Sequence, residues 1–253
     1  TLEQLRDLKP DFISVTFGAG GSSNNNTTCE IAQTIKEKYG IESAAHLPCI
    51  NYTKEEIVKI LGEFKKHGIS NILALRGDIN PDIPPKSDFK YASDLISFIK
   101  RHGDFDIAGA CYPEGHMETE NLVTDVLNLK KKIEAGAEHL ISQLFFDNSY
   151  FYSFLERTQI AGIDVPIEAG IMPVTNKGQI ERMVSMCGAS LPPKFAKMIQ
   201  KYEHSPEALR DAGIAYAIDQ IVDLVSNGVD GIHLYTMNNP YVAKRISDAV
   251  ESN

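Results

Sequence analysis

The sequence predicts an α/β fold of the (β/α)8 TIM-barrel class, and three observations predict it. Short apolar, β-branched runs alternate with longer amphipathic stretches from end to end, which implies parallel strands joined by helical crossovers. Several amphipathic stretches end in the same stop, a glycine just before the next apolar run: Gly68, Gly136, Gly162 and Gly228. Glycine there suits a left-handed C-cap and a short return to the sheet, a pattern common in barrels and shared with doubly wound sheets. The third observation is the strand count, which reaches seven where a closed barrel of this type needs eight.

The elements follow in order. Phe12 to Thr16 reads as a strand because Phe, Ile, Val and Thr favour a pleated, half-buried surface. A helix near Thr28 to Tyr39 leads to a strand over Ala44 to Ile50, then a helix over Lys54 to His67 that stops at Gly68. The apolar run Asn71 to Leu75 is a strand, and Ala92 to Arg101 the next helix. Asp106 to Cys111 is a strand, followed by a helix over Leu122 to Ala135 that stops at Gly136. His139 to Phe146 is a strand, Tyr150 to Ala161 a helix stopping at Gly162, and Pro166 to Ile171 a strand. Helices near Lys177 to Cys187 and Glu207 to Asn227 precede the last strand, Gly231 to Thr236, and the last helix, Pro240 to Glu251. Leu2 to Pro10 looks like the tail of a helix with no strand before it. A first strand and most of its helix are therefore expected upstream of Thr1, and residues 1–253 are read as one barrel domain, incomplete at its N-terminus.

Composition narrows the function classes. With 43% hydrophobic and 23% charged residues the chain is an ordinary globular protein, long enough for one extensive core. A formal net charge of −9 repels nucleic acid and anionic lipid, so neither is an expected partner, although Lys130-Lys131-Lys132 can still meet one phosphate. No apolar run approaches a membrane span and no signal peptide is seen. Cys29, Cys49, Cys111 and Cys187 are far apart and contain no C-x-x-C pair, which reads as free thiols in a reducing cytoplasm.

In barrels of this class, function sits at the C-terminal ends of the strands. Those ends carry Thr16, His46, Arg76 with Asp78, Tyr112, Gln143 and Tyr235. Any one of them reads equally as a satisfied polar residue at a strand mouth; their recurrence at one level is the informative feature. Arg76 offers a planar fork of donors for a phosphate or carboxylate, and Gly77 permits close backbone approach to a ligand. Asp78 supplies a carboxylate that can stabilise a cation or accept from a ring N–H; the bland reading is a surface Arg–Asp pair. Asp125, Asn128 and Lys132 lie at i, i+3 and i+7 of one helix, which is either a solvated stripe or a clamp for ribose and pyrophosphate. Tyr112-Pro113-Glu114-Gly115-His116 matches no zinc signature, so no metal is expected. Gly18-Ala19-Gly20-Gly21 lacks the G-x-G-x-x-G spacing and is read as a flexible loop.

Seven stretches, in order and at strand ends, resemble the methylenetetrahydrofolate reductase family. They are Phe12 to Ala19 (FISVTFGA), Ala45-His46-Leu47, Ala74 to Asp78 (ALRGD), Tyr91 to Leu95 (YASDL), Tyr112-Pro113-Glu114, Gln143 to Asp147 (QLFFD) and Gly170 to Val174 (GIMPV). The resemblance implies a noncovalent FAD lined or held by Thr16, His46, Arg76, Gly77, Asp78, Tyr91, Ala92, Ala110, Tyr112, His116, Asp125, Asn128, Lys131 and Lys132. It implies NADH or NADPH as reductant, and reduction of 5,10-methylenetetrahydrofolate to 5-methyltetrahydrofolate in one-carbon metabolism and methionine biosynthesis. By the family's mechanism the methylene bridge opens to a cationic iminium that takes hydride from the flavin. Asp78 would then stabilise that cation and disfavour anionic reduced flavin, and Gln143 would meet the amide-like edge of the pterin. Gln179 and Tyr235 match further substrate-side positions.

The chain departs from the family's pattern at three places. The family's proton-donating Glu lies in a Phe-Glu-Phe-type run on the first strand, and no such run occurs here; Asn239 stands where bacterial relatives often carry Arg, and Met183 where they carry an aromatic. These departures leave a second reading, a flavin-binding subunit of a larger redox complex whose partner supplies electrons or activity. A homo-oligomer fits either reading. A non-flavin barrel lyase is disfavoured because no expected strand presents a Lys at its C-terminal end.

Overall fold

The computed structural model describes residues 1–17, 25–79 and 82–250. It has the α/β fold class expected, with seven parallel strands and ten α-helices among the described residues. The chain divides into two compact units. The first comprises Lys9–Ala110 and Lys130–His139; the second comprises Thr1–Leu8, Cys111–Leu129 and Leu140–Asn253.

In the first unit, β1 (Phe12–Val15), β2 (Glu42–Pro48), β3 (Asn71–Leu75) and β4 (Asp106–Cys111, whose last residue belongs to the second unit) pair in chain order, all parallel. The registers Ala45↔Ile72 and Ile72↔Ile107 align the apolar positions, and the neighbouring pairs put Val15 against Ala45. Between the strands run α2 (Asn25–Tyr39), α3 (Lys54–Lys66) and α4 (Ala92–His102). The start of α3 is written locally. Thr53 accepts from the Glu56 N–H (3.2 Å), and the Glu56 carboxylate accepts from the Thr53 N–H (2.7 Å), a capping box. Ile57, Ile60, Leu61 and Phe64 then fall at i, i+3, i+4 and i+7 and are all buried. Each such side chain contributes about 1.5–3 kcal/mol when removed from water, which far exceeds the propensity differences along the helix. Gly68 ends this segment with φ +68°, the left-handed cap its position predicts, and Gly136, Gly162 and Gly228 also have positive φ.

The second unit opens with α1 (Leu2–Leu5) and a 3-10 turn over Arg6–Leu8. Helix α5 (Leu122–Glu134) begins in this unit and ends in the first. Then come β5 (His139–Ser142, from Leu140 in this unit), α6 (Asn148–Ile160), β6 (Ile167–Ile171), α7 (Lys177–Cys187), α8 (Pro193–Tyr202), α9 (Pro206–Ser226), β7 (Gly231–Leu234) and α10 (Pro240–Val250). Strands β5, β6 and β7 pair in parallel, with Ile141↔Glu168 and Ala169↔Ile232 in register. An apolar cluster of Leu144, Phe146, Met172, Val174, Ile180, Phe195, Ile199 and Leu209 joins the segments after β5 and β6 to α7, α8 and α9. Helix α9 fits closely because Gly213 has no Cβ; one there would overlap the Val174 carbonyl oxygen.

One strand end and one additional helix depart most from expectation. The strand expected over His139 to Phe146 ends at Ser142, because Leu144, Phe145 and Phe146 leave the sheet to pack in the core: the Tyr216 hydroxyl donates to the Phe146 carbonyl (2.6 Å) and the Gln220 amide to the Phe145 carbonyl (3.2 Å). Helix α8 was not expected. Its signal was Pro193 at the first helical position with Phe195 and Ile199 one turn apart, both buried. The Gly18 to Gly21 loop lies outside the described residues. Among the described residues, no helix is long and apolar enough to cross a membrane.

Candidate functional site

In the first unit the expected polar set lies at or just beyond the C-terminal ends of adjacent strands. Thr16 follows β1 directly, and its carbonyl accepts from the hydroxyl of buried Thr28 (3.3 Å), which ties the strand end to α2. His46 is two residues from the end of β2, in register with Leu73. Arg76, Gly77 and Asp78 follow β3. The Arg76 carbonyl accepts from the N–H of Ile50 (2.8 Å) and shares that of Cys49 (3.1 Å) with Leu75, so this turn is pinned to the end of β2. Gly77 has φ +90°; a Cβ there would lie 3.1 Å from Pro48 Cβ and 3.3 Å from Ile50 Cγ2. The Arg76 Nε–H donates to the Gly77 carbonyl (3.2 Å), and Asp78 is exposed.

Tyr91 and Ala92 begin α4. The Asp94 carboxylate accepts from the backbone N–H of both Lys90 (3.0 Å) and Tyr91 (2.9 Å), which fixes this helix start; Ala92 is buried and Tyr91 is exposed. Buried Cys49 lies beneath, its thiol 3.8 Å from the Tyr91 carbonyl, and burial pushes that thiol up to about 12. It is therefore a packing group and not a nucleophile. None of the four cysteines, all among the described residues, forms a disulfide. From α5, the Lys132 ammonium donates to the Ala110 carbonyl (2.7 Å), which holds its charge at the C-terminal end of β4, while Lys131 on the same helix is exposed.

The second unit carries the remaining residues. Tyr112 follows β4 and meets His116 edge to face, with ring centroids 4.6 Å apart. His116 Nδ1 accepts from the Glu118 N–H (3.1 Å), so the neutral ring carries its proton on Nε2 and presents a donor there. Asp125, only 8% exposed, accepts at Oδ1 from the His116 N–H (3.2 Å), with the Thr119 hydroxyl 3.0 Å away. Asp125 therefore shapes the loop that presents His116, while Asn128 on the same helix is exposed. Arg157 donates to the Pro113 carbonyl (2.8 Å), and Glu114 accepts from the Ser190 N–H (2.9 Å), so the segment after Tyr112 is braced from two sides.

Gln143 and Tyr235 follow β5 and β7 directly. The Gln143 N–H donates to the Cys111 carbonyl (2.7 Å), and its side-chain oxygen accepts from the Leu144 N–H (3.0 Å). The Tyr235 hydroxyl donates to the Ser142 carbonyl (2.7 Å), and burial pushes its phenol well above the ordinary tyrosine range. Gln179, near the start of α7, accepts at Oε1 from the N–H (3.2 Å) and hydroxyl (3.1 Å) of Thr175. Among the described residues, no group of three or more His, Cys, Asp or Glu side chains is placed to hold a metal ion.

The sequence profile described as methylenetetrahydrofolate reductase matches residues 1–251. The chain belongs to the methylenetetrahydrofolate reductase family. Relatives named 5,10-methylenetetrahydrofolate reductase include one from Pectobacterium carotovorum subsp. carotovorum, 40% identical over 238 residues, 94% of this chain and 79% of that protein. The one from Escherichia coli (strain K12) is 39% identical over the same shares of both chains. Methylenetetrahydrofolate reductase 1 of Schizosaccharomyces pombe is 32% identical over 94% of this chain but only 40% of its own length. Among solved structures, an uncharacterized Clostridium thermocellum protein that binds two copies of 5-methyl-5,6,7,8-tetrahydrofolic acid superposes with a TM-score of 0.62. It is 14% identical, with 99% of this chain and 87% of that chain covered, so it shares the fold.

Within this family frame, each unit gathers its own share of the expected residues at strand ends. Sequence reasoning missed Ser142, which is fully buried and joins Gln143, Gly170 and Tyr235 by hydrogen bonds. No local signal marks it, since its partners depend on the register of three strands. Glu114 stands in a family motif and is rejected as a metal ligand, but its bracing contact was not foreseen, since its backbone partner lies 76 residues away.

Proposed function

We propose that this protein binds FAD noncovalently and reduces 5,10-methylenetetrahydrofolate to 5-methyltetrahydrofolate with NADH or NADPH as the electron source. The observation that carries the reading is the polar row of the first unit. Thr16, His46, the Arg76–Asp78 turn and the Lys132 ammonium all stand at the C-terminal ends of four parallel strands paired in chain order. Sequence membership of the reductase family supports it independently.

The donor set fits a flavin dinucleotide. Arg76, Lys131 and Lys132 supply the cations a pyrophosphate needs, and Lys132 is already held in place by Ala110. Thr16, His46, Gly77, Tyr91, Ala92, Ala110, Tyr112, His116, Asp125 and Asn128 complete the proposed FAD contacts. In this assignment His116 offers its Nε2–H to an acceptor, and Asp125 acts through the loop it anchors. FAD, when bound, supplies the hydride. Asp78, the proposed catalytic carboxylate, stabilises positive charge developing on the one-carbon unit, because a fixed negative group needs no reorganisation as that charge appears. Gln143, Gln179 and Tyr235 are the proposed folate contacts, Gln143 pairing with the amide-like edge of the pterin.

The test is anaerobic. Purified protein is titrated with FAD, reduced with NADH or NADPH, and mixed with methylenetetrahydrofolate while flavin absorbance is followed. Bleaching by the nicotinamide and return of colour with folate is the expected result. Lys132→Met and Arg76→Ala should each weaken FAD by about ten- to a hundredfold, the value of a charge-assisted contact. A protein that leaves the FAD spectrum unchanged and retains no flavin after desalting overturns the reading. Flavin that binds but is not reoxidised by folate leaves a flavin subunit acting through a partner.

A further inference from the structure

We propose that Ser142 is a positioning residue for the folate side of the site: its hydroxyl replaces its own carbonyl in the sheet, and the released carbonyl then holds the Tyr235 phenol. This rests on the reading that Gln143 and Tyr235 meet the folate.

Strand register shows the substitution. Leu140 pairs with Ile167 and Ile141 with Glu168, and the Leu140 N–H donates to the Pro166 carbonyl (2.9 Å). One more step of that parallel ladder pairs Ser142 with Ala169 and sends the Gly170 N–H to the Ser142 carbonyl. The Gly170 N–H donates instead to Ser142 Oγ (2.8 Å), and the hydroxyl proton goes to the Gln143 carbonyl (3.0 Å). The Ser142 carbonyl accepts the Tyr235 hydroxyl (2.7 Å). Gly170 makes the crossing sterically feasible. A Cβ there would overlap the Ser142 carbonyl and stand 2.8 Å from the Tyr235 ring. One fully buried hydroxyl thus fixes the backbone at Gln143 and the side chain of Tyr235, the residues that directly follow β5 and β7.

Without the hydroxyl, the Gly170 N–H falls back onto the Ser142 carbonyl and competes with the phenol. Ser142→Ala should therefore shift the Tyr235 13Cζ resonance, assigned by its disappearance in Tyr235→Phe, in protein labelled at tyrosine. Ser142→Cys keeps the side-chain shape with a poor acceptor and should shift it in the same direction, which covers failure of the alanine variant to fold. An unmoved resonance in the folded variants overturns the proposal whatever the ligand result. A second arm measures 5-methyltetrahydrofolate affinity. Ser142→Ala and Tyr235→Phe should each weaken it about fivefold, and the double variant no further, because both remove one contact. Effects that multiply in the double variant assign Ser142 a separate structural role and overturn the proposal. Wild-type protein that binds no folate refutes the functional reading, while the resonance still decides the role of Ser142.

Discussion

Gly77→Ala probes how the turn after β3 is held. Gly77 has φ +90°, a region L-residues enter at a cost of roughly 1–2 kcal/mol. Its new methyl would also press on Pro48 Cβ at 3.1 Å and Ile50 Cγ2 at 3.3 Å. Both belong to the segment that the Arg76 carbonyl grips through Cys49 and Ile50, so the turn cannot slide away without losing hydrogen bonds. The combined cost is about 2 kcal/mol, within the range for a strained backbone site. In a domain of this size each kcal/mol moves the melting temperature by roughly 2–4 °C, so a fall of about 4–8 °C is expected by calorimetry. Whatever strain the backbone relieves must displace Arg76 and Asp78, so FAD affinity should fall as well. Gly62→Ala is the control: Gly62 sits exposed in α3 with nothing within 4 Å of its would-be Cβ, and the change should stabilise by about 1 kcal/mol. If Gly77→Ala melts within 1 °C of wild type and binds FAD equally well, the reasoning about this turn is wrong.

Asp125→Ala should cost about 1–3 kcal/mol in urea unfolding, because it strips the acceptor from the His116 N–H beside a buried position; amide exchange at His116 should speed up, and unchanged protection there would contradict the loop-anchoring role. Glu138 accepts from Lys100 (2.8 Å) and from the Ile107 N–H (3.2 Å), and the Lys100 hydrogen bond holds its carboxyl below the ordinary 4.5. A carboxyl lowered on folding stabilises above that ordinary value and loses the contribution as pH falls below it. The advantage of wild type over Glu138→Gln should therefore be present at pH 7 and vanish on acidification below about 4.5. Half-exposure of this pair keeps the difference under about 1 kcal/mol, and a gap that persists at pH 2 would refute the assignment.

Much of this protein was legible in one dimension because the information is local. Side-chain period separates strand from helix. The Thr53–Glu56 box and the glycine stops mark helix ends. A polar residue closing an apolar run marks a strand mouth, as at Thr16, Arg76, Tyr112 and Tyr235. The ordered motifs also carried the family, because their sequence and their order along the chain are read without any tertiary contact. Only the folded chain decided that Lys132 reaches the end of β4 while Asn128 faces outward, and that Asp125 is buried in the service of a loop. It alone decided that Leu144 to Phe146 leave the sheet for the core, and that the Ser142 carbonyl belongs to a tyrosine 93 residues away. Those outcomes depend on strand register and on which buried volume each side chain fills. Both are set by contacts between distant segments, and no window of neighbouring residues contains them.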